Sequence, residues 1–142
     1  FFILNLGFFQ SLKIFLGDNG STFLGFILGC FLINLSELKI IDTFFVPWLI
    51  ILPIYDLIRV IMFRLIRKIN PTNPDRIHIH HILNSYFNSN NVSLIIICLT
   101  SFLLIIFGYF ITQLSSLLSI LTYILFFLIY LFLINLIQKK IN

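Results

Sequence analysis

Three histidines stand close together in the pattern His-Ile-His-His, at His78, His80 and His81, shortly after Arg76. An imidazole can donate or accept a hydrogen bond and can carry a proton near neutral pH, and an arginine offers a planar fork of donors to phosphate oxygens. The group can therefore bind an anion such as a phosphate. A solvated structural loop and a zinc site stay open as alternatives, although this spacing is unusual for zinc and no cysteine lies nearby.

A second polar segment, residues 17–21 with the sequence Gly-Asp-Asn-Gly-Ser, lies between two apolar runs. Its carboxylate, Asp18, could hold a hard cation such as Mg²⁺, which takes one or two protein carboxylates together with the phosphates of a substrate. A plain turn, in which the aspartate bonds to its own backbone, is the other interpretation. Anion binding at the histidines gains support if Asp18 faces the same side of the molecule.

The chain that must position these residues has 142 residues, of which 60% are hydrophobic and 10% are charged. Soluble domains carry about 25% charged residues, so the composition indicates a membrane protein. An open chain can cross lipid only as helices, which predicts an all-α, polytopic integral membrane helical bundle. We expect one partial span at residues 1–15 and four fuller spans at 22–35, 43–69, 94–111 and 117–137.

Residues 43–69 are too long for one perpendicular span, because a helix rises about 1.5 Å per residue and would reach about 40 Å. Their second half has polar residues on one side and apolar residues on the other, which predicts a span that leaves the membrane as an amphipathic helix. We expect a kink at Pro53. Asp56 is predicted to pair with Arg59, one turn further on.

The basic residues give the predicted spans an orientation. If successive loops alternate sides, Lys39 stands alone on one side, and the other side holds Lys13, Arg64, Arg67, Lys68, Arg76, Lys139 and Lys140. The positive-inside rule places the richer side, with Asp18 and the histidines, in the cytoplasm. Because these cations cluster at span ends, the net charge of +4 indicates anchoring at a lipid surface and no nucleic acid as partner.

Three segments together resemble the C-terminal half of a known enzyme family. They are Lys-Ile-Phe-Leu-Gly-Asp-Asn-Gly-Ser at 13–21, Pro-Ile-Tyr-Asp at 53–56 and Asn-Pro-Asp-Arg-Ile-His-Ile-His-His at 73–81. Their order and spacing are similar to those of the polyprenyl-phosphate N-acetylhexosamine-1-phosphate transferases over nearly the whole chain. Ile79 makes the pattern resemble the N-acetylglucosamine branch more than the phospho-MurNAc-pentapeptide translocases, which tend to have three consecutive histidines.

The resemblance implies an enzyme of the bacterial inner membrane whose active site faces the cytoplasm. It implies transfer of N-acetylhexosamine 1-phosphate, GlcNAc 1-phosphate foremost, from a UDP-sugar to undecaprenyl phosphate or another polyprenyl phosphate. UMP is released, and the step initiates cell-surface polysaccharide synthesis. The implied cofactor is Mg²⁺, for which Mn²⁺ could substitute. By the same resemblance Asp18 is the catalytic and metal-binding residue, and Arg76, His78, His80 and His81 bind the substrate.

The family's aspartate-rich motif belongs to the N-terminal half and does not occur in this chain, which starts with Phe1 inside an apolar stretch. We therefore expect residues 1–142 to be the C-terminal part of a single transferase domain, inactive alone, with a cytoplasmic histidine loop at 70–91. A translocase-like step of peptidoglycan synthesis and a non-enzymatic transporter subunit remain alternatives, as does a non-catalytic scaffold. The donor sugar, the polyprenyl length and the oligomeric state, with a homodimer possible, stay open.

Overall fold

A computed structural model describes residues 17–68 and 78–141, without the side chains of residues 17–19 and 21. Helices account for 88% of the described residues, and none of these residues lies in a β-strand, so the all-α prediction is confirmed. In chain order the helices are α1 (Gly17–Glu37), α2 (Val46–Leu49), α3 (Ile51–Arg67), α4 (Ile79–Phe87), α5 (Asn90–Leu114) and α6 (Ser116–Ile141). The chain divides into two compact units, Phe1–Ile40 and Ile41–Asn142.

The first unit contains α1, which includes the predicted span at 22–35. The helix ends where Lys39 takes a left-handed conformation with a φ of 56°. The N–H groups of Lys39 and Ile40 donate back to the carbonyls of Ser36 and Leu35, at 3.0 Å each. These two hydrogen bonds satisfy carbonyl groups that would otherwise have no partner in the last turn of the helix. The predicted partial span at 1–15 lies outside the described residues.

Among the described residues, α5 and α6 are long and apolar enough to cross a membrane, and α1 adds a shorter apolar stretch, Thr22–Glu37. Both long helices leave most of their apolar side chains exposed. A core helix of a soluble protein would bury such side chains, so their exposure fits contact with lipid. The predicted spans at 94–111 and 117–137 lie within these two helices, and Ser115 alone joins them.

The predicted long span at 43–69 is divided into α2 and α3 by Ile50, which has non-helical backbone angles. The expected kink at Pro53 is wrong. Pro53 lies in the first turn of α3, where no N–H is needed for the helical hydrogen bonds, so proline does not disturb the helix. With 17 residues, α3 is also shorter than the roughly 20 that cross the hydrocarbon core.

Helix α3 is amphipathic, as predicted, but its polar pair faces inward. Asp56 and Arg59 are buried, whereas Leu57, Ile61 and Leu65 are exposed. In lipid the apolar face of a helix can point outward while polar residues find partners within the bundle. The amphipathic pattern of α3 therefore indicates which face meets the rest of the protein.

The predicted loop at 70–91 contains a helix, α4, over Ile79–Phe87. Ile82 and Leu83 are buried and Ile79 packs against the core, so the helix presents an apolar stripe at helical spacing to the bundle. Ser89 then begins α5, because its hydroxyl accepts a hydrogen bond from the N–H of Val92 at 3.5 Å. Ser89 thus provides the side-chain cap with which the next helix starts.

The core of the second unit forms around Trp48, whose side chain is fully buried. Its indole N–H donates to the hydroxyl of Ser119 at 2.9 Å, and a Cβ at Gly108 would lie only 2.3 Å from its ring. Further along, the Tyr55 hydroxyl donates to the carbonyl of Tyr123. Trp48 therefore contacts an early residue of α6, and Tyr55, later in the chain, contacts a later residue of α6. Helices α2 and α3 thus run parallel to α6.

Candidate active site

The parallel course of α3 and α6 brings two basic helix ends together. Arg64 and Arg67 lie in the last turn of α3, and Lys139 and Lys140 in the last turn of α6. Helix α4 lies at the same end, where the ammonium of Lys140 is 6.0 Å from the centre of the Tyr86 ring. The histidines of α4 therefore occupy the basic end of the second unit, opposite the end that holds Trp48.

The three imidazoles form one cluster at the start of α4. His78 immediately precedes the helix, and His80 and His81 lie in its first turn. The rings of His80 and His81 have their centres 4.1 Å apart, and the His78 ring lies 6.0 Å from that of His80, nearly parallel to it. The three rings therefore lie close together, and their joint action on a ligand stays a prediction.

The start of α4 is fixed by a side chain from another helix. The Asp56 Oδ1 atom, on α3, accepts a hydrogen bond from the N–H of Ile79 at 3.1 Å. The other carboxylate oxygen, Oδ2, lies 2.8 Å from Nδ1 of His78. A carboxylate is favourable at a helix start because it meets unpaired N–H groups and the positive end of the helix dipole. Asp56 thereby determines both where α4 begins and where the first histidine lies.

The same carboxylate has two further partners. The Arg59 guanidinium donates to Oδ1 through Nη2 at 2.7 Å and through Nε at 3.3 Å, so the predicted pair is present. The hydroxyl of Tyr130, on α6, donates to Oδ1 at 3.1 Å. Asp56, Arg59 and Tyr130 are all buried. Ionised groups away from water need such partners, and here they join three helices.

Two open cavities flank the histidine cluster. A larger one of about 580 Å³ is lined by His80, His81, Asn84, Asn90, Ser93, Leu94, Ile97 and Cys98. A smaller one of about 240 Å³ is lined by Phe63, Arg67, His81, Ile82, Ser85, Gln138 and Ile141. His81 borders both cavities. Imidazoles, amides and hydroxyls around a concave space can hydrogen-bond the hydroxyl and phosphate groups of a polar ligand.

The electrostatics of the cluster favour a neutral His80. Partial burial lowers the pKa of His80 below its ordinary value, and the neighbouring imidazoles of His81 and His78 lower it further. An imidazole without a net charge keeps one donor and one acceptor nitrogen. His80 can therefore hydrogen-bond a ligand at neutral pH without adding a full positive charge to the cluster.

The other predicted site residues are only partly covered by the structure. Arg76 lies outside the described residues, as do 69–77 as a whole. The backbone of Asp18 is in the first turn of α1, and its side chain is outside the description. The expectation that Asp18 faces the histidines stays a prediction. Within 17–68 and 78–141, the structure has no group of three or more His, Cys, Asp or Glu residues that could hold a metal ion.

Sequence reasoning gave Asp56 only an ion pair with Arg59 and gave Tyr130 no role. The sequence carries two signals for this carboxylate: its place on the polar side of an amphipathic helix, and its position in the Pro-Ile-Tyr-Asp segment at 53–56 that contributes to the family resemblance. Tyr130 lies in a long apolar run, where an aromatic residue ordinarily packs in the core or meets lipid. Nothing in the local sequence indicates that its hydroxyl reaches a carboxylate on α3.

Comparison with known proteins gives several curated relatives with one name, undecaprenyl-phosphate α-N-acetylglucosaminyl 1-phosphate transferase. The protein of Escherichia coli K12 is 32% identical over 111 residues, which cover 76% of this chain and 30% of the relative. That of Pasteurella multocida is 36% identical over 87 residues, 58% of this chain and 24% of the relative. That of Salmonella typhi is 35% identical over 86 residues, 58% of this chain and 23% of the relative.

No family model matches the chain, and no solved structure matches it. Fold and composition define a helical membrane bundle with a histidine cluster at its basic end. The similarity to the curated relatives identifies the family: the chain belongs to the polyprenyl-phosphate N-acetylhexosamine-1-phosphate transferases. It spans less than a third of the length of the relatives it matches.

Proposed function

We propose that the protein containing this chain transfers N-acetylglucosamine 1-phosphate from a UDP-sugar to undecaprenyl phosphate and releases UMP. The observation that carries the proposal is the imidazole cluster of α4, held by Asp56 at the end of the unit where the basic residues gather. The name shared by the curated relatives supports the same transfer. The proposed location is the bacterial inner membrane, with this end in the cytoplasm, in accord with the positive-inside rule.

In the proposed reaction an oxygen of the lipid phosphate attacks the β-phosphorus of the UDP-sugar. The bond between that phosphorus and the oxygen bridging to the α-phosphate breaks, and UMP leaves with the bridging oxygen. The sugar 1-phosphate is then joined to the lipid by a diphosphate. Such transfers depend mainly on positioning the reactants and on stabilising charge on the phosphate oxygens.

The residues of this chain would act on the donor. His80 and His81 border the larger cavity and would hydrogen-bond the donor there, and Arg76 would meet phosphate oxygens with its guanidinium. Asp18 would ligate Mg²⁺, which can use a single carboxylate together with substrate phosphates. When bound, the cation would supply positive charge at the diphosphate. The acceptor's apolar chain would lie in the membrane beside the exposed side chains of α5 and α6.

The test uses a polypeptide of the relatives' length that contains these 142 residues, here called the full-length protein. Membranes containing it should convert radiolabelled UDP-N-acetylglucosamine and undecaprenyl phosphate into labelled lipid and an equal amount of UMP. The 142-residue chain alone should give neither product, since the family's aspartate-rich motif is absent from it. Failure of the full-length protein to label lipid would overturn the proposed function.

The double variant His80→Ala, His81→Ala tests the role of the cluster in the same assay. We expect its transfer rate to fall by more than about tenfold, because a hydrogen bond to a charged ligand contributes about 1.5–3 kcal/mol. Gln113→Ala is the matched control, because Gln113 is exposed near the other end of α5. Equal transfer rates for the double variant and the control would mean that His80 and His81 have only a structural role.

A further inference from the structure

The carboxylate of Asp56 is surrounded by protein donors. Oδ1 accepts hydrogen bonds from Arg59 at 2.7 Å, from the Ile79 N–H at 3.1 Å and from the Tyr130 hydroxyl at 3.1 Å. Oδ2 lies 2.8 Å from Nδ1 of His78, and the side chain of Asp56 is only 10% exposed. Asp56 is therefore not available to touch a substrate, and any influence it has on a ligand must pass through another residue.

His78 is the partner that can reach a ligand. Its side chain is 41% exposed, and its ring lies nearly parallel to that of His80, which borders the larger cavity. An ionised carboxylate can only accept hydrogen bonds, so Nδ1 of His78 must carry the proton in this contact. In a neutral imidazole the other nitrogen, Nε2, then carries the lone pair, because the bond at one nitrogen determines the state of the other.

We propose that Asp56 is a positioning residue that holds His78 with a proton on Nδ1 and presents Nε2 as an acceptor to a hydroxyl group of the nucleotide-sugar. This inference rests on the proposed function and assigns a task to the first histidine of the cluster. Arg59 and Tyr130 keep the carboxylate in place from α3 and α6. The N–H of Ile79 ties the same carboxylate to the backbone next to His78, so the ring and the start of α4 are fixed together.

The variant that separates this role from a merely structural one is Asp56→Asn. Asparagine has nearly the same size, and its amide oxygen can still accept from Ile79 and Tyr130. Its amide nitrogen would then face Nδ1 of His78 and can only donate, so the proton of His78 should move to Nε2. Tyr130→Phe is the matched control, since it removes one donor to Oδ1 and leaves the contact between Oδ2 and His78 intact.

The first measurement is the ¹⁵N NMR spectrum of histidine-labelled protein in detergent, with the His78 signals identified by their loss in His78→Gln. We expect the wild-type protein and Tyr130→Phe to have the proton on Nδ1, and Asp56→Asn to have it on Nε2. A wild-type His78 protonated on Nε2, whether alone or together with Nδ1, would overturn the proposal. This measurement needs no turnover, so it decides the positioning role even if the full-length protein proves inactive.

The second measurement is steady-state transfer by the full-length protein. Asp56→Asn should raise the KM for UDP-N-acetylglucosamine about tenfold to a hundredfold, the effect of leaving a buried polar group mismatched, with a much smaller change in the KM for undecaprenyl phosphate. In a His78→Ala background, Asp56→Asn should have little further effect on the donor KM. An unchanged donor KM, or additive effects of the two substitutions, would overturn the proposal while leaving the proposed function in place.

Discussion

Asp18 and Asp56 are both aspartates within helices of an apolar chain, yet they are suited to different tasks. Asp56 is already bound by an arginine, a histidine, a tyrosine and a backbone N–H. Its Oδ1 atom accepts from Arg59, Ile79 and Tyr130, and its Oδ2 atom faces His78, so this carboxylate is committed to protein partners. Asp18 lies in α1, and it is the aspartate that the family resemblance assigns to the metal.

The variant Asp18→Asn tests that assignment in the full-length protein. An amide is a weaker ligand for Mg²⁺ than a carboxylate, and losing one electrostatic contribution at a reacting phosphate costs about a hundredfold to a thousandfold in rate. We expect a loss of that size in lipid labelling, with normal expression in the membrane. The control is Asp42→Asn, because Asp42 accepts a hydrogen bond from the N–H of Phe44 at 2.7 Å in a turn. Near-normal transfer by Asp18→Asn would exclude the metal role.

At the scale of the helices, α5 packs closely against Trp48 at Gly108. A methyl group at Gly108 would lie 2.3 Å from two ring carbons and 2.7 Å from the Cβ of Trp48. The Trp48 side chain cannot easily move away, because it is fully buried and its indole N–H donates a hydrogen bond to Ser119. The ring edges of Phe126 and Tyr123 also meet it. Only glycine fits at this crossing without moving α5.

We therefore expect Gly108→Ala to destabilise the 142-residue chain by about 1–3 kcal/mol, the usual cost of overpacking a core. Gly25→Ala is the matched control, because nothing lies within 4 Å of a Cβ built at Gly25. There the better helix propensity of alanine should leave stability unchanged or raise it slightly. Unfolding of both variants by SDS, followed by circular dichroism, gives the comparison. A midpoint for Gly108→Ala at or above that of Gly25→Ala would contradict this packing.

The helices differ in how far the sequence could predict them, for physical reasons. Helices α5 and α6 follow from long apolar runs, since a backbone in lipid has no alternative to helical hydrogen bonds. Helix α4 was not predicted, because its first N–H is capped by Asp56, which lies 23 positions earlier in the chain. The sequence predicts a kink at Pro53, whereas the break lies at Ile50. Proline interrupts a helix only beyond the first turn, and Pro53 lies within the first turn of α3.

The candidate site was predictable to a similar, limited degree. The histidines were identified by their types and spacing, which need no knowledge of the fold. The links from Asp56 to His78 and from Tyr130 to Asp56 join residues 22 and 74 positions apart. Neither link leaves a local pattern in the sequence, because the first depends on where the start of α4 lies against α3 and the second on the parallel packing of α3 and α6. Such supporting contacts become visible only once the helices are placed in space.

For the molecule as a whole, the second unit has one strongly basic end and one nearly uncharged end. Helices α5 and α6 have no charged residue before Lys139, so the charges of these two helices lie at the basic end. Asn88, at the basic end beside α4, and Gln113, at the opposite end of α5, are both exposed. They allow the orientation of the whole bundle to be measured.

We expect the basic end to face the cytoplasm, because cations near span ends are retained on that side. The variants Asn88→Cys and Gln113→Cys, each made in the full-length protein with all native cysteines replaced by serine, should react with a membrane-impermeant maleimide from opposite sides. Labelling of Asn88→Cys should occur only in inside-out vesicles, and labelling of Gln113→Cys only in right-side-out vesicles. The reverse pattern would place the histidines outside the cell, away from a cytoplasmic nucleotide-sugar, and would contradict both the orientation and the proposed donor.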